Sequence, residues 1–320
     1  MMLPPDDPRL TEIALRKQLL ARGHTDRSLA ACLRSGTLAR PRRGAYVDGP
    51  TWRGLSAEQQ HAVRARAAYL QSCTDVWLSH TSAVALADGP LWNLALDEVH
   101  LTRDDGRSGR REAGIQQHSG RLRPGDVVEE HETRISAPVR ASLEIATVGS
   151  LETALVVTNY FLHRGDFTLE QLAERYDEEM DRWPHSLRTG LLLRLADPRI
   201  ESVGESRTAH FLWRAGFSVP EVQYDVFDGP VLVARLDFAD PDRGFWIEFD
   251  GREKYLRYLR PGETVADAVL REKTREDRVR ELTGWSCFRI TWRDLADPHA
   301  LALRLRRFIS ALAPARRVAG

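Results

Sequence analysis

The stretch ARLDFADPDRGFWIEFDGREKY, residues 234–255, joins two apolar runs through an Asp-Pro-Asp turn and sets three carboxylates among them. Asp237 stands near the end of the first run, and Glu248 and Asp250 stand two residues apart on the second. Side chains alternate along a strand, so Phe245, Ile247 and Phe249 share one face while Trp246, Glu248 and Asp250 share the other. On the first strand Asp237 shares its face with Val233 and Arg235. Two carboxylates near 4 Å repel by about 4 kcal/mol at an effective dielectric of roughly 20. Either one of them takes a proton or a cation stands between them.

Outward from this hairpin, LADPRIES (195–202) carries an Asp-Pro turn signal and marks a boundary. ESRTAHFLWRAGF reads as a helix closed by Gly216. EVQYDVF reads as a strand, and the pair Asp228-Gly229 signals a tight hairpin. A helix is expected over 265–282, and WSCFRIT is a further strand. The order helix, strand, hairpin, helix, strand, helix predicts a mixed sheet covered by helices, in the α/β or α+β class.

A divalent ion offers the compensation that such acids need. Mg²⁺ takes hard oxygen ligands and keeps several waters. It stabilises charge on a phosphoryl oxygen and acidifies a bound water, the two needs of phosphodiester hydrolysis. The pattern GESRTAHFLWRAGF … LDFADPDRGFWIEFDG … EKTREDRVRELTGWSCFRIT resembles the PD-(D/E)xK nuclease superfamily and, more narrowly, its Vsr-like endonuclease-fold domains, over residues 198–312. The resemblance implies a restriction-endonuclease-like mixed sheet flanked by helices, with Glu205, Asp237 and Glu248 as the acids around a metal and Asp237 and Glu248 as ligands of Mg²⁺. That superfamily usually holds a lysine at the third motif position, where this chain has Asp250. The basic role then falls to Lys254 or Lys273, the chemistry differs, or it is lost.

Each position also has a plain structural reading. Ser202 and Glu205 form S-x-x-E, a capping box. Arg235 can neutralise Glu248 as a cross-strand pair. Asp250-Gly251 is an ordinary strand-ending turn pair. Lys273 lies in REKTREDRVRE, whose alternating signs suit a solvated helix face. Trp285 and Phe288 suit a core.

At the other end, LTEIALRKQLLARGHTDRSLAACLRSGTLARPRRGAYVDG reads as helix, tight turn, helix and short β-hairpin. Leu10, Ile13, Ala14, Leu19 and Leu20 fall on one helical face that ends at Gly23. Thr25 caps a second helix, with Leu29, Ala30 and Leu33 inward and Gly36 as its stop. Arg34, Arg40, Arg42 and Arg43 then occur with no acid between them. A helix that enters a groove beside a wing on phosphate needs this arrangement. LRSGTLARPRRGAYV resembles the winged N-terminal domain of AbiEi-type antitoxins, which implies a winged helix-turn-helix that binds DNA and a toxin protein as a further partner. A solvated basic turn between two structural helices has the same pattern.

The middle region offers a helix at 57–72, a strand and helix in VWLSHTSAVALADGPLW, a short strand in EVHLT and a polar loop in RDDGRSGRREAG. Strands around a Pro124-Gly125 turn, helices on both sides of Gly149 and a helix in DFTLEQLAERYDEEM follow, an order similar to the segment behind the wing in AbiEi-like proteins. His80, His100, His118 and His131 lack metal-ligand spacing, and no HExxH occurs. Ser79-His80 and Ser119 have no third triad member. The expected domains are therefore 1–50, winged helix-turn-helix; 51–196, AbiEi-like middle; and 197–320, nuclease fold.

The 320 residues are 42% hydrophobic and 29% charged, as in soluble globular proteins. The 46 basic and 46 acidic residues cancel, so a nucleic-acid surface must be a local patch. Cys32, Cys73 and Cys287 lie far apart with no CxxC, so neither a disulfide framework nor a zinc knuckle is indicated. The start MMLPPDDPRL has no basic-then-apolar signal pattern and no apolar run is long enough to span a bilayer, so no membrane association and a cytoplasmic location are expected. The expectation is a DNA-binding protein with a Mg²⁺-dependent endonuclease-like domain. The alternative is a non-catalytic antitoxin-type transcriptional regulator with a degenerate nuclease fold.

Overall fold

The computed structural model describes residues 3–107, 109–179, 183, 186–251 and 264–312 of a mixed α/β chain. It divides into two units, Met1–Ala196 and Asp197–Gly320, the first holding both the 1–50 and the 51–196 segments.

The first unit starts with β1 (Ala14–Leu15), α1 (Arg16–Ala21), α2 (Asp26–Ser35), β2 (Leu38–Arg42) and β3 (Ala45–Asp48), whose strands form an antiparallel sheet ordered β1-β3-β2. Thr25 and Ser28 cap α2 reciprocally, and Gly36 ends it at φ 73°, a conformation that suits glycine. The helix expected from Leu10 begins only at Arg16. Ala14 and Leu15 pair with Tyr46 and Ala45 instead, and Ile13 is buried with Ala45, Val47 and Val63. Strand pairing and burial outweigh the weak helix preference of so short a run.

Helices α3 (Gly49–Gly54) and α4 (Ala57–Leu70) follow, the latter opened by a Ser56–Gln59 capping box. Val63 and Ala67 of α4 pack on the small sheet, while its Ala62, Ala65 and Ala68 join the larger core behind. One helix thus serves two clusters, which joins the N-terminal elements to the rest of the unit. The larger core is built on β4 (Trp77–Leu78), α5 (His80–Leu86), β5 (Val99–Arg103), β6 (Arg111–Glu112), β7 (Ile115–Ser119), β8 (Val127–Glu130) and β9 (Thr133–Ser136). These strands form a mixed sheet ordered β6-β7-β5-β4-β9-β8. Among the described residues four helices complete the unit: α6 (Pro138–Val148), α7 (Leu151–Arg164), α8 (Leu169–Glu179) and α9 (Ser186–Leu195). Leu143, Ile145, Val157 and Phe161 of α6 and α7 are buried with Leu78, Leu101 and Ile135 of the sheet.

The β8–β9 turn falls at His131 and Glu132, both left-handed (φ 46° and 62°), and not at Pro124-Gly125. The Arg123 N–H donates to the Asp126 carboxylate at 2.8 Å and closes a separate turn ahead of β8.

His61 on α4 is fully buried, with Nδ1 3.1 Å from the Leu96 carbonyl and Nε2 3.1 Å from Ser82 Oγ. Burial pushes its imidazole down to about 4. Unfolding releases the ring to its ordinary value near 6.5, so the unfolded chain binds a proton that the folded chain refuses. Stability is therefore full above about pH 6.5 and falls on acidification toward pH 4, by up to about 1.4 kcal/mol per pH unit for this group. Urea denaturation of wild type and His61→Gln between about pH 7 and pH 5 should show one proton less of linkage in the variant. Identical slopes would refute the assignment.

The second unit comprises α10 (Val203–Arg214), β10 (Glu221–Asp228), β11 (Val231–Asp240), β12 (Phe245–Asp250), α11 (Val265–Thr283), β13 (Ser286–Thr291), α12 (Trp292–Ala296) and α13 (Pro298–Ala311). Its sheet runs β10-β11-β12-β13, antiparallel at the first two junctions and parallel at the last. On one side Phe238, Phe245, Ile247 and Phe249 are buried with Phe211 and Leu212 of α10 and Leu301 and Leu305 of α13. On the other side Ala234, Leu236 and Trp246 are buried with Val279 of α11. The alternation read along β12 is realised. Among the described residues no helix is long and apolar enough to cross a membrane.

Candidate functional site

The acids of the hairpin lie where two ladders are interrupted. Val222 pairs with Phe238 and Tyr224 with Leu236, which sets Gln223 and Asp237 at one level between them. Gln223 adopts φ 55°, a left-handed conformation that stores strain in a residue other than glycine. On the other flank β11 and β12 pair from Asp240–Phe245 to Phe238–Ile247. The regular pairing stops there, and Asp237 and Glu248 are the next residues of the two strands. There Asp237 Oδ2 accepts the Phe249 N–H at 2.7 Å. Asp237 and Glu248 are both buried, each 6% exposed.

Glu205 is the third buried acid, on the first turn of α10. Ser202 Oγ accepts the Glu205 N–H at 3.1 Å and donates to Glu205 Oε1 at 2.6 Å, while the Glu201 N–H donates to Oε2 at 3.0 Å. Ser202 thus caps α10, but the reciprocal bond of the expected capping box is replaced, because the Glu205 carboxylate takes the Glu201 N–H instead of the Ser202 N–H. Gln223 Nε2 also donates to Glu205 Oε2 at 3.0 Å, which ties the helix start to the strand level of Asp237.

Asp250 lies further along β12, with Arg289 of β13 3.7 Å away. Arg289 also reaches Glu272 at 3.2 Å and Glu276 of α11. Burial weighs against its charge, but the carboxylates hold the Arg289 guanidinium above its ordinary range. Arg235 pairs with Asp225 across β10 and β11 at 2.7 and 3.0 Å and does not supply the expected partner of Glu248. That cation is Arg275 of α11, 3.8 Å from Glu248. Arg275 was hidden in the alternating run two residues after Lys273. Lys273 itself is exposed on α11, and Lys254 lies outside the described residues. The donors at Asp237 and Glu248 are hard oxygens on interior strands, ligand chemistry that suits Mg²⁺.

Of the arginines expected to meet DNA, Arg34 is exposed at the end of α2, Arg40 on β2 and Arg43 in the turn before β3. Arg42 departs from that expectation. It is half-buried, burial pushes its guanidinium down, and its Nε has no hydrogen-bond partner among the described residues. Arg53 of α3 donates to the Gly36 carbonyl at 2.9 Å and fastens the end of α2.

A cluster that sequence spacing concealed lies in the first unit. The Ser79 N–H donates to the His100 carbonyl at 3.1 Å, which extends the β4–β5 pairing to the start of α5. His80 opens α5 at φ 49°, and its N–H donates to Glu144 Oε2 at 2.9 Å. Along the parallel β5–β7 pair His100 is level with Gln116 and Thr102 with His118, so His100 and His118 are diagonal neighbours on one face. His100 Nδ1 and His118 Nε2 are 2.9 Å apart, and the His80 ring stacks on the His118 ring at 3.8 Å between centroids. One ring nitrogen from each histidine falls within 4.8 Å of the others. Burial, reinforced at His80 and His100 by the neighbouring rings, pushes His118 down to about 4, His100 down to about 3 and His80 well below its ordinary value. His131 sits in the β8–β9 turn, outside this cluster. Ser79 Oγ at 3.0 Å and Glu144 Oε2 at 3.9 Å both approach Nδ1 of His80. A serine–histidine–acid relay needs the acid and the nucleophile on opposite ring nitrogens, so this arrangement is not one.

No family model matches the chain. It is 34% identical over 119 residues to the uncharacterized protein MT2308 of Mycobacterium tuberculosis (strain CDC 1551 / Oshkosh). The uncharacterized protein Rv2248 of Mycobacterium tuberculosis (strain ATCC 25618 / H37Rv) matches to the same extent. Each match covers 37% of this chain and 41% of the relative, so the chain spans under half the length of the curated relatives it matches.

Proposed function

We propose that this is a DNA-binding protein whose second unit hydrolyses phosphodiester bonds with Mg²⁺. The observation that carries the reading is the burial of two carboxylates, Asp237 and Glu248, on neighbouring strands at the point where the β11–β12 ladder stops and Asp237 takes up the Phe249 amide. The order helix, three antiparallel strands, helix, parallel strand around one sheet supports the resemblance to the Vsr-like PD-(D/E)xK nucleases. Asp237 and Glu248 would hold the ion, which when bound supplies charge stabilisation at a phosphoryl oxygen and a more acidic water. The Phe249 amide fixes the Asp237 carboxylate. Ser202, the Glu201 amide and Gln223 fix Glu205, which orients water at the edge of the pocket. Arg275 supplies the positive charge that the superfamily's usual lysine gives, since the third position is Asp250. The exposed Arg34, Arg40 and Arg43 hold phosphates of the duplex, which positions DNA without reading its sequence.

Nicking of supercoiled plasmid and of single-stranded DNA with Mg²⁺, compared between wild type and Asp237→Ala, tests this. Wild type should nick, and the variant should lose activity by on the order of 100-fold. Equal residual nicking by both proteins removes the hydrolase. In that case the second reading stands, a non-catalytic antitoxin-type regulator with a toxin as partner. The observation that favours it is the placement of Asp250 beside Arg289 in a network with Glu272 and Glu276.

A further inference from the structure

We propose that His80, His100 and His118 form a second metal site, separate from the acidic pocket, which binds a borderline-soft transition ion such as Zn²⁺. Three features of the first unit point there. The ring nitrogens converge within 4.8 Å from three different elements, and the two on β5 and β7 are held by a rigid parallel pair. His80 is kept in a left-handed conformation by a buried hydrogen bond from its N–H to Glu144, and such strain persists only where the surroundings enforce it. Its ring is also oriented from outside. Nδ1 lies 3.0 Å from Ser79 Oγ, and Ser79 Oγ accepts from Thr102 Oγ1 at 2.7 Å. Arg140 Nε donates to Glu144 Oε1 at 2.7 Å, so the carboxylate behind His80 is itself anchored. Outer contacts of this kind fix the ring and tautomer of metal-binding histidines.

The ligand set decides the class of ion. Three neutral imidazoles suit Zn²⁺, Cu²⁺ or Ni²⁺ and disfavour Mg²⁺ or Ca²⁺, which seek oxygen. Three histidines also leave a coordination position for water, as in sites that do chemistry. Ligation replaces the His80–His118 stack and the His100–His118 hydrogen bond with three rings fanned around one ion. His118 is the least buried of the three and gives the entry side.

The test uses the full chain stripped with chelator and titrated with Zn²⁺ alone, followed by calorimetry and thermal melting, with Co²⁺ absorption as the optical probe. Wild type should bind one Zn²⁺ per chain, melt higher when loaded, and give the visible band of tetrahedral Co²⁺. His118→Ala and His118→Gln should each weaken Zn²⁺ binding by about 100-fold or more, while His131→Ala and Asp237→Ala leave it unchanged. The Asp237→Ala arm separates this site from the acidic pocket. Zn²⁺ binding by wild type that is absent, or that survives unchanged in a folded His118 variant, overturns the proposal. If neither His118 variant folds, the wild-type titration decides it: no Zn²⁺ bound overturns, and one bound ion with the Co²⁺ band of nitrogen ligation supports.

Discussion

Asp126→Ala should destabilise the first unit by about 3–5 kcal/mol, the largest loss expected from a single substitution in that unit. Asp126 is 1% exposed and receives the guanidinium groups of both Arg140 and Arg175, together with the Arg123 N–H. Arg140 is fully buried, with Trp77 and Trp183 within 5.4 Å of its guanidinium and Glu144 bound to its Nε. Burial alone raises the Asp126 pKa, yet Arg175 and Arg140 outweigh it and hold the carboxyl below its ordinary value. Without that carboxylate two guanidinium groups face each other in a low dielectric, one of them beyond the reach of water. Small domains hold about 5–15 kcal/mol in total, so such a loss takes a large share of stability. Urea denaturation followed by tryptophan fluorescence measures it. A change below about 1 kcal/mol would show that the carboxylate does not sustain the network.

Gly204→Ala should cost about 3 kcal/mol, the upper end of overpacking, and should also depress nicking. A Cβ at Gly204 would lie 2.0–2.4 Å from three ring carbons of Phe249. Phe249 is 3% exposed and packs edge-on against Trp292 at 4.8 Å, so its ring has nowhere to withdraw without displacing the core. The effect reaches the pocket along two routes, because Glu205 is the next residue and the Phe249 N–H holds Asp237. Gly190→Ala is the control, since its added Cβ would meet nothing nearer than Tyr176 Oη at 3.9 Å. Thermal melting and nicking of the two variants side by side give the answer. Equal behaviour would mean that α10 does not press on β12 at this point.

The second unit was legible because its signals are local. Gly229, the Asp240-Pro241-Asp242 turn and the Phe245/Ile247/Phe249 alternation each specify a strand or its end without reference to distant residues. The bond from Gln223 to Glu205 was not legible, because it depends on a left-handed residue inside a strand that carries no glycine to announce it. Arg275 was missed for a related reason. In an alternating-charge helix the face turned to the sheet is chosen by packing, and Val279 one turn later is its apolar marker. The histidine cluster needed β7, whose residues Ile-Gln-Gln-His-Ser show no apolar alternation and take their place from pairing with β5. At the N-terminus the apolar residues up to Ala14 fitted a helical period, but the hairpin recruited Ala14 and Leu15 as a strand.

The parallel seam between β12 and β13 has a consequence for the chain as it is made. Phe245–Phe249 leaves the ribosome well before Ser286–Ile290, so Phe-Trp-Ile-Glu-Phe is for a time the open rim of a nascent sheet. An exposed apolar rim is a template for pairing with another copy, and a charge pointing inward from such a strand is a recognised deterrent. Glu248 would then serve the polypeptide twice, first as a gatekeeper against association during synthesis and only later as part of a finished pocket.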